Sequence, residues 1–310
     1  MQLVHGFQES ATCRGGFVSI GNFDGVHRGH ERILRALVER ARSAGVPAVV
    51  LTFDPHPIRL LRPAEAPPRL STLERKAHLL ARSGVDVLIA YPTDRALLDL
   101  RPEQFFERIV HQELAARGLV EGPNFCFGRN RSGDVTTLRR LCASSGILLE
   151  VVPPLEIDGG VVSSSRIRAL ILEGRIAEAV DLLGHPYRVR GRVIHGADRG
   201  RALGFPTANL DGVATLLPKD GVYAGRADYR GESWPAAVHL GPNPTFDETA
   251  RKLEIHLLDF AGDLYGQELD VDFLARLRDT ASFEDAAALR QQLERDLTTV
   301  RAVANREVAR

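Results

Sequence analysis

Apolar and polar positions in the first half of the chain follow two alternating periods. AVVLTF (Ala48 to Phe53), VDVLIAY (Val85 to Tyr91) and ILLEVV (Ile147 to Val152) are short apolar runs that read as buried strands. Between them, TLERKAHLLARSG (72–84) and PEQFFERIVHQELAARG (102–118) repeat apolar residues at helical spacing and end at glycine. Strands alternating with amphipathic helices predict an α/β domain with a parallel sheet covered on both faces. From Tyr187 the pattern changes. YRVRGRVIH, GVYAGRADYR, SWPAAVHLG, RKLEIHLLDF and QELDVDFLARLR are short alternating segments broken by Gly, Pro and Asp turns. They predict a small antiparallel barrel or sandwich. A last helix is expected over Phe283 to Val300, with Leu289, Leu293, Leu297 and Val300 on one face. The change of texture near Gly184–Tyr187 sets the expected domains at 1–184 and 185–310.

Composition narrows the partners. A chain of 310 residues accommodates two cores, and 40 basic against 40 acidic side chains leave no net field toward nucleic acid or membrane. No run of about 18 apolar residues occurs, nor a basic-then-apolar leader. Cys13, Cys126 and Cys142 form no C-x-x-C pair, and an odd number fits free thiols in a reducing compartment, so a cytoplasmic location is expected. Oligomerisation is not indicated.

The densest chemistry lies in FVSIGNFDGVHRGH, Phe17 to His30. A strand, a glycine-rich turn and two histidines three apart lead into a helix marked by Ile33, Leu34, Leu37, Val38 and Ala41 and stopped by Gly45. Unpaired N–H groups at a helix start attract phosphate, and His27 and His30, expected on one face of the first turn, add donors. Gly25 precedes the pair and Gly29 stands between them. Three other readings stand beside this one. A Rossmann turn has G-x-G-x-x-G, whereas Gly21, Gly25 and Gly29 are four apart, with Asp54 as a ribose-binding acid. A zinc site lacks further ligands in register. A capped helix with two surface histidines is the plainest. FDPHP (Phe53 to Pro57) follows a strand, at the sheet edge where such folds bind ligands. VVSSSRIRAL, from Val161, places serine donors and Arg166 and Arg168 at another helix start, where cations suit a bound anion.

On these residues the first half resembles a known family. GNFDGVHRGH resembles the H-x-G-H signature of the nucleotidyltransferase superfamily, and SSSRIR its I-S-S-T-x-x-R motif. With FDPHP and GPNFCFG (Gly122 to Gly128), it is similar to the FMN adenylyltransferase module of bacterial bifunctional riboflavin kinase/FAD synthetases. The resemblance implies a Rossmann-like fold in which the FMN phosphate attacks the α-phosphorus of ATP. His27 and His30 would stabilise the phosphates, with Gly25 and Gly29 beside them. Ser164, Ser165 and Arg168 would hold the pyrophosphate side. Phe53, Asp54, Asn124, Phe125 and Phe127 would line the flavin or nucleotide pocket, with core packing as the plain alternative for the three phenylalanines. Ser165 stands where the family commonly has Thr, and Pro123 where a polar residue is usual.

The second half has its own constellation. HGADRGRALGFPTANL (His195 to Leu210) carries Gly196, Gly200 and Gly204, which let backbone N–H groups approach phosphate. Thr207 and Asn209 alternate, and in an extended segment they offer two hard oxygens on one side, a donor set that suits Mg2+. A surface loop is the plain alternative. The segment resembles the G-F-P-T-A-N signature of riboflavin kinase, and KDGVYAG, GPNPTF, LEIHLLDF and DLYG follow in that family's order. The resemblance implies that Glu254 is the general base that accepts the proton of the ribityl 5′-hydroxyl as it attacks the γ-phosphorus of ATP. Riboflavin, FMN and ATP would be the partners, Mg2+ the cofactor, and FMN and FAD the products. A single-function enzyme and a flavin-responsive regulator on the same scaffold are the competing expectations.

Overall fold

The protein is described by a computed structural model covering residues 1–7, 13–196, 204–243 and 248–308. Contacts divide it into two compact units, residues 1–68 with 72–163, and residues 69–71 with 164–310. Helices over 164–183 therefore group with the second unit. Among the described residues no helix is long and apolar enough to cross a membrane.

The first unit runs β1 (Gln2–His5), β2 (Phe17–Ile20), α1 (Arg28–Ala44), β3 (Ala48–Phe53), α2 (Pro57–Leu61), α3 (Leu73–Arg82), β4 (Val87–Tyr91), α4 (Arg95–Leu98) and α5 (Pro102–Phe105). A π-helical stretch, Phe106–Glu113, prolongs α5. Then follow β5 (Gly118–Glu121), α6 (Val135–Ser145), β6 (Leu148–Val151), and the short hairpin of β7 (Glu156–Ile157) and β8 (Gly160–Val161). Six strands form a parallel sheet in the order β1-β4-β3-β2-β5-β6. Alternation splits the core between its faces. Ala48 and Val50 pack with Leu34, Leu37 and Ala41 of α1, while Val49 and Leu51 pack with Phe105, Ile109 and Leu138. The chain leaves β2 toward β3 on one side and returns to β5 on the other. That reversal makes β2 and β5 the switch point of the sheet, and in open α/β sheets ligands bind at the carboxyl ends of the strands beside such a point.

Two expectations change. The helix expected to reach Gly118 ends at Glu113, and Gly118 opens β5 instead. A Cβ at Gly118 would lie 2.3 Å from the Phe17 ring, so glycine serves close strand packing there, not a helix stop. The 147–152 segment forms an edge strand, not a buried one, with Leu148 59% exposed.

The second unit begins with α7 (Ser164–Leu172) and α8 (Ile176–Leu183) and continues as β9 (Tyr187–Ile194), β10 (Ala208–Asp211), β11 (Gly221–Tyr229), β12 (Glu232–Asn243), β13 (Glu248–Leu257), β14 (Glu268–Arg278) and α9 (Ala286–Val308). The strands close an antiparallel barrel in the order β10-β13-β12-β11-β14-β9. Closure removes free edges, and buried Tyr187, Tyr223, Phe273, Val238 and Ile255 are among its core side chains. The Tyr187 hydroxyl donates to the Leu216 carbonyl at 2.5 Å, which satisfies the one polar atom it brings inside. α9 extends beyond the expected Val300 and packs that residue against Ala224 and Leu258.

Candidate functional site

The loop between β2 and α1 is wound tightly. Phe23 (φ 45°), Gly25 (φ 80°) and Val26 (φ 39°) all lie in left-handed backbone. Such a conformation costs a non-glycine residue roughly 1–3 kcal/mol and persists only where the surroundings over-determine it. Burial of Phe23 and Val26 in the core supplies that constraint.

The loop delivers His27 to the N-cap of α1. The backbone N–H of His30 donates to His27 Nδ1 at 3.2 Å, so the neutral His27 ring carries its proton on Nε2. His27 is thus outside the first turn, and its cap consumes one of the helix-start N–H groups expected to meet phosphate. The two imidazoles stack, with 3.6 Å between centroids and 14° between planes. A Cβ at Gly29 would stand 3.1 Å from the His27 ring and 3.2 Å from the Val162 carbonyl oxygen, so glycine makes the approach possible. His30 Nδ1 is buried and makes no hydrogen bond within the structure. Burial, then His27, then Lys76 hold the His30 pKa well below the usual histidine range, so the ring is neutral at physiological pH.

Lys76, on α3 and only 8% exposed, donates to Thr52 Oγ1 at 3.1 Å, and the Thr52 hydroxyl donates to the Asn22 carbonyl at 3.2 Å. Asn22 Nδ2 lies 2.9 Å from His56 Nε2, joining this loop to the FDPHP segment. Asn22 and His56 lie in the two motifs singled out from sequence, whereas Lys76 and Thr52 are not among the residues expected there. The available signal was Lys76 itself, a cation on the apolar stripe between Leu73 and Leu80. Glu121 was also missed. It is 3% exposed at the end of β5, accepts the Ile20 N–H at 2.7 Å, and burial raises its pKa well above the carboxylate range.

Phe53 and Asp54 are half-buried at the end of β3, and the Asp54 N–H donates to the Tyr91 carbonyl at 3.0 Å. Asn124 is exposed in the turn after β5. Half-buried Phe125 stacks on Phe127 (5.4 Å, 14°), which is itself a core residue. Ser164 and Ser165 form the first turn of α7, and half-buried Arg168 follows one turn later, all in the second unit.

In the barrel, Asn209 on β10 pairs with Glu254 on β13, which pairs in turn with His239 on β12. Their chain neighbours Ala208, Leu210, Leu253, Ile255, Val238 and Leu240 are buried, so alternation sets the three polar residues in one row on the outer face. Glu254 alternates with His256, whose Nδ1 lies 2.7 Å from the Pro206 carbonyl and so braces the segment that carries half-buried Thr207. Gly196 and Gly204 are exposed, and Gly200 lies outside the described residues. A Cβ at Gly196 would fall 2.1 Å from Asn209 Nδ2, so this glycine leaves the space the amide occupies. Among the described residues no three His, Cys, Asp or Glu gather as a metal site. The hard oxygens of Thr207 and of the enclosed Asn209 amide, beside an acidic partner, still fit Mg2+, which takes few protein ligands when phosphates complete its shell.

Comparison with known proteins follows the same division. The family model for FAD synthetase matches residues 9–166 and that for riboflavin kinase residues 183–304. A bifunctional riboflavin kinase/FMN adenylyltransferase of Pseudomonas fluorescens is 39% identical over 306 residues, covering 98% of each chain. Its counterpart in Escherichia coli K12 is 36% identical over 305 residues, 97% of each. A crystal structure from Streptococcus pneumoniae, of a protein described as a macrolide-efflux protein, matches with a TM-score of 0.86 at 30% identity, covering 97% of this chain and 99% of that one.

Proposed function

The chain belongs to the family of bifunctional riboflavin kinase/FMN adenylyltransferases, and from that premise we propose how its residues divide two successive reactions. It is an enzyme of flavin cofactor synthesis. One step phosphorylates riboflavin to FMN with ATP, and the other adenylylates FMN to FAD with release of pyrophosphate. We assign the first step to residues 185–310 and the second to residues 1–184. The observation that carries the reading is that one chain holds a matched domain for each step.

For phosphorylation, Glu254 takes the proton of the ribityl 5′-hydroxyl as that oxygen attacks the γ-phosphorus, and ADP leaves. Its pairing with Asn209 supports the assignment, since it sets a base beside a ligand for the phosphates' counter-ion. Thr207 and Asn209 would hold Mg2+. When bound, the ion neutralises charge on the phosphates. Gly196 and Gly204 leave backbone donors for the nucleotide, and the sequence motif assigns Gly200 the same role.

For adenylylation, a phosphate oxygen of FMN attacks the α-phosphorus of ATP and pyrophosphate departs, with no covalent enzyme intermediate. The work of the chain is positioning and charge stabilisation. His27 donates from Nε2, and His30 adds a neutral ring at the same place. The loop around Gly25 and Gly29 holds both. Ser164, Ser165 and Arg168 hold the pyrophosphate side. Asn124, Phe53, Asp54 and Phe125 contribute to the flavin or nucleotide pocket, with Phe127 backing the Phe125 ring. Cys13, Cys126 and Cys142, none of them in a disulfide, support a reducing, cytoplasmic setting.

The test separates the steps. Glu254→Ala should abolish FMN formation from riboflavin yet still convert supplied FMN to FAD. Undiminished FMN formation would overturn the base assignment.

A further inference from the structure

The row that runs from Asn209 through Glu254 ends in a side chain with no task in the reaction described above. His239 stands opposite Glu254 across β12 and β13, and its Nδ1 lies 3.5 Å from Glu254 Oε2. Both side chains are largely covered, 23% and 18% exposed. The Nδ1 atom itself is shut off from solvent and makes no hydrogen bond within the structure. Its register partner on the other side is Val222 of β11, whose side chain has nothing to offer it. Within the row, Glu254 is the polar group His239 faces.

A buried imidazole nitrogen left unpaired is a cost the fold does not need on the outside of a barrel, where an aliphatic residue would pack without it. It acquires a purpose if the contact closes during the reaction. Hydrogen bonds to a catalytic group are often long or misaligned without substrate and tighten once it is bound. A carboxylate on a strand can rotate about its side-chain torsions. A donor on one oxygen fixes the rotamer and leaves the second oxygen to receive a proton.

We propose that His239 is a positioning residue for riboflavin phosphorylation: its Nδ1–H donates to Glu254 Oε2 and holds the carboxylate so that Oε1 meets the ribityl 5′-hydroxyl. The proton passes from that hydroxyl to Glu254, the new bond forms between the hydroxyl oxygen and the γ-phosphorus, and ADP departs with the electron pair of the broken bond. His239 gains and loses no proton in this step. The inference rests on the reading of Glu254 as the base.

The test compares His239→Leu, which fills the space without a donor, with His239→Asn, which keeps one. FMN formation is followed at varied riboflavin and ATP, and riboflavin affinity by quenching of its own fluorescence. His239→Leu should lower kcat about tenfold with KM and riboflavin affinity within about twofold, the pattern of an interaction that matters in the transition state. His239→Asn should recover most of the loss. Unchanged kcat in His239→Leu, an equal loss in both variants, or a loss confined to KM or to riboflavin binding would overturn the proposal. Glu254→Gln is assayed alongside. If it retains FMN formation, the base reading itself falls. If it abolishes FMN formation while His239→Leu leaves kcat intact, only the role of His239 falls.

Discussion

His27 and His30 stack with 3.6 Å between ring centroids while the backbone N–H of His30 caps onto His27 Nδ1 at 3.2 Å. Nδ1 fixes the helix start, and in the reaction proposed above Nε2 is the donor to the phosphates. These duties are separable by substitution. Asparagine is a strong N-cap residue, so His27→Asn should keep α1 and change stability by less than about 1 kcal/mol. It loses the Nε2 donor, and FAD formation from FMN should fall on the order of 10²-fold or more, as when a transition-state donor is removed. Chromatography of FMN and ATP incubations, with denaturant titration, reads both. FAD formation at the wild-type rate would show that His27 acts only as a cap.

Glu121 makes stability depend on pH in a defined direction. Burial raises its folded-state pKa, so its favourable contribution is present below the unfolded value near 4.5 and is lost as pH rises through the folded value. Glu121→Gln keeps an oxygen for the Ile20 N–H and removes the charge. Its thermal midpoint should match the wild type near pH 4.5 and exceed it increasingly toward pH 8. His30 contributes the opposite slope: its lowered pKa costs stability as pH falls below about 6.5. A constant offset between Glu121→Gln and wild type across pH would show that the carboxyl does not titrate in the fold.

Gly196 protects the position of Asn209. Gly196→Ala would bring a methyl carbon to 2.1 Å from Asn209 Nδ2 and 2.8 Å from its Cγ. A short amide rotates away at little cost, so the melting temperature should move by only a few degrees while FMN formation drops about tenfold or more. FAD formation from supplied FMN should be spared. Equal activity in variant and wild type would remove Asn209 from the phosphate site.

Asp272 is a structural charge. It is 1% exposed, receives Arg188 Nε at 2.6 Å and Nη2 at 2.7 Å, and receives Arg226 Nη2 at 3.1 Å. Removing one side of a buried ion pair leaves the other uncompensated and costs about 3–5 kcal/mol. Asp272→Ala should destabilise the barrel by that order in urea unfolding. A change below about 1 kcal/mol would mean that water or neighbouring Asp228 and Asp270 replace the lost partner.

Much of this was legible in the chain. Strand and helix periods located β3, α1 and α3 because those elements bury a regular stripe, and alternation in the second half announced an antiparallel barrel or sandwich, which the structure closes as a barrel. Thr207 and Asn209 stood out because they alternate and offer two hard oxygens, and Glu254 because its segment follows the order of a known family. What local pattern could not carry were relations made by folding. That His27 caps depends on the left-handed winding of its loop, and that Gly118 answers to Phe17 follows from contact between neighbouring strands. Lys76 and Glu121 are charges inside apolar segments, and sequence alone does not tell a buried charge from a misplaced one. His239 becomes notable only when strand register sets it opposite Glu254.

The most direct measurement is a time course of the purified chain with riboflavin and MgATP, the flavins separated by chromatography. FMN should appear first and FAD should follow at its expense, from the same protein and without added FMN. Folded protein that yields no phosphorylated flavin, or FMN that accumulates with no FAD, would contradict the account of one chain performing both steps.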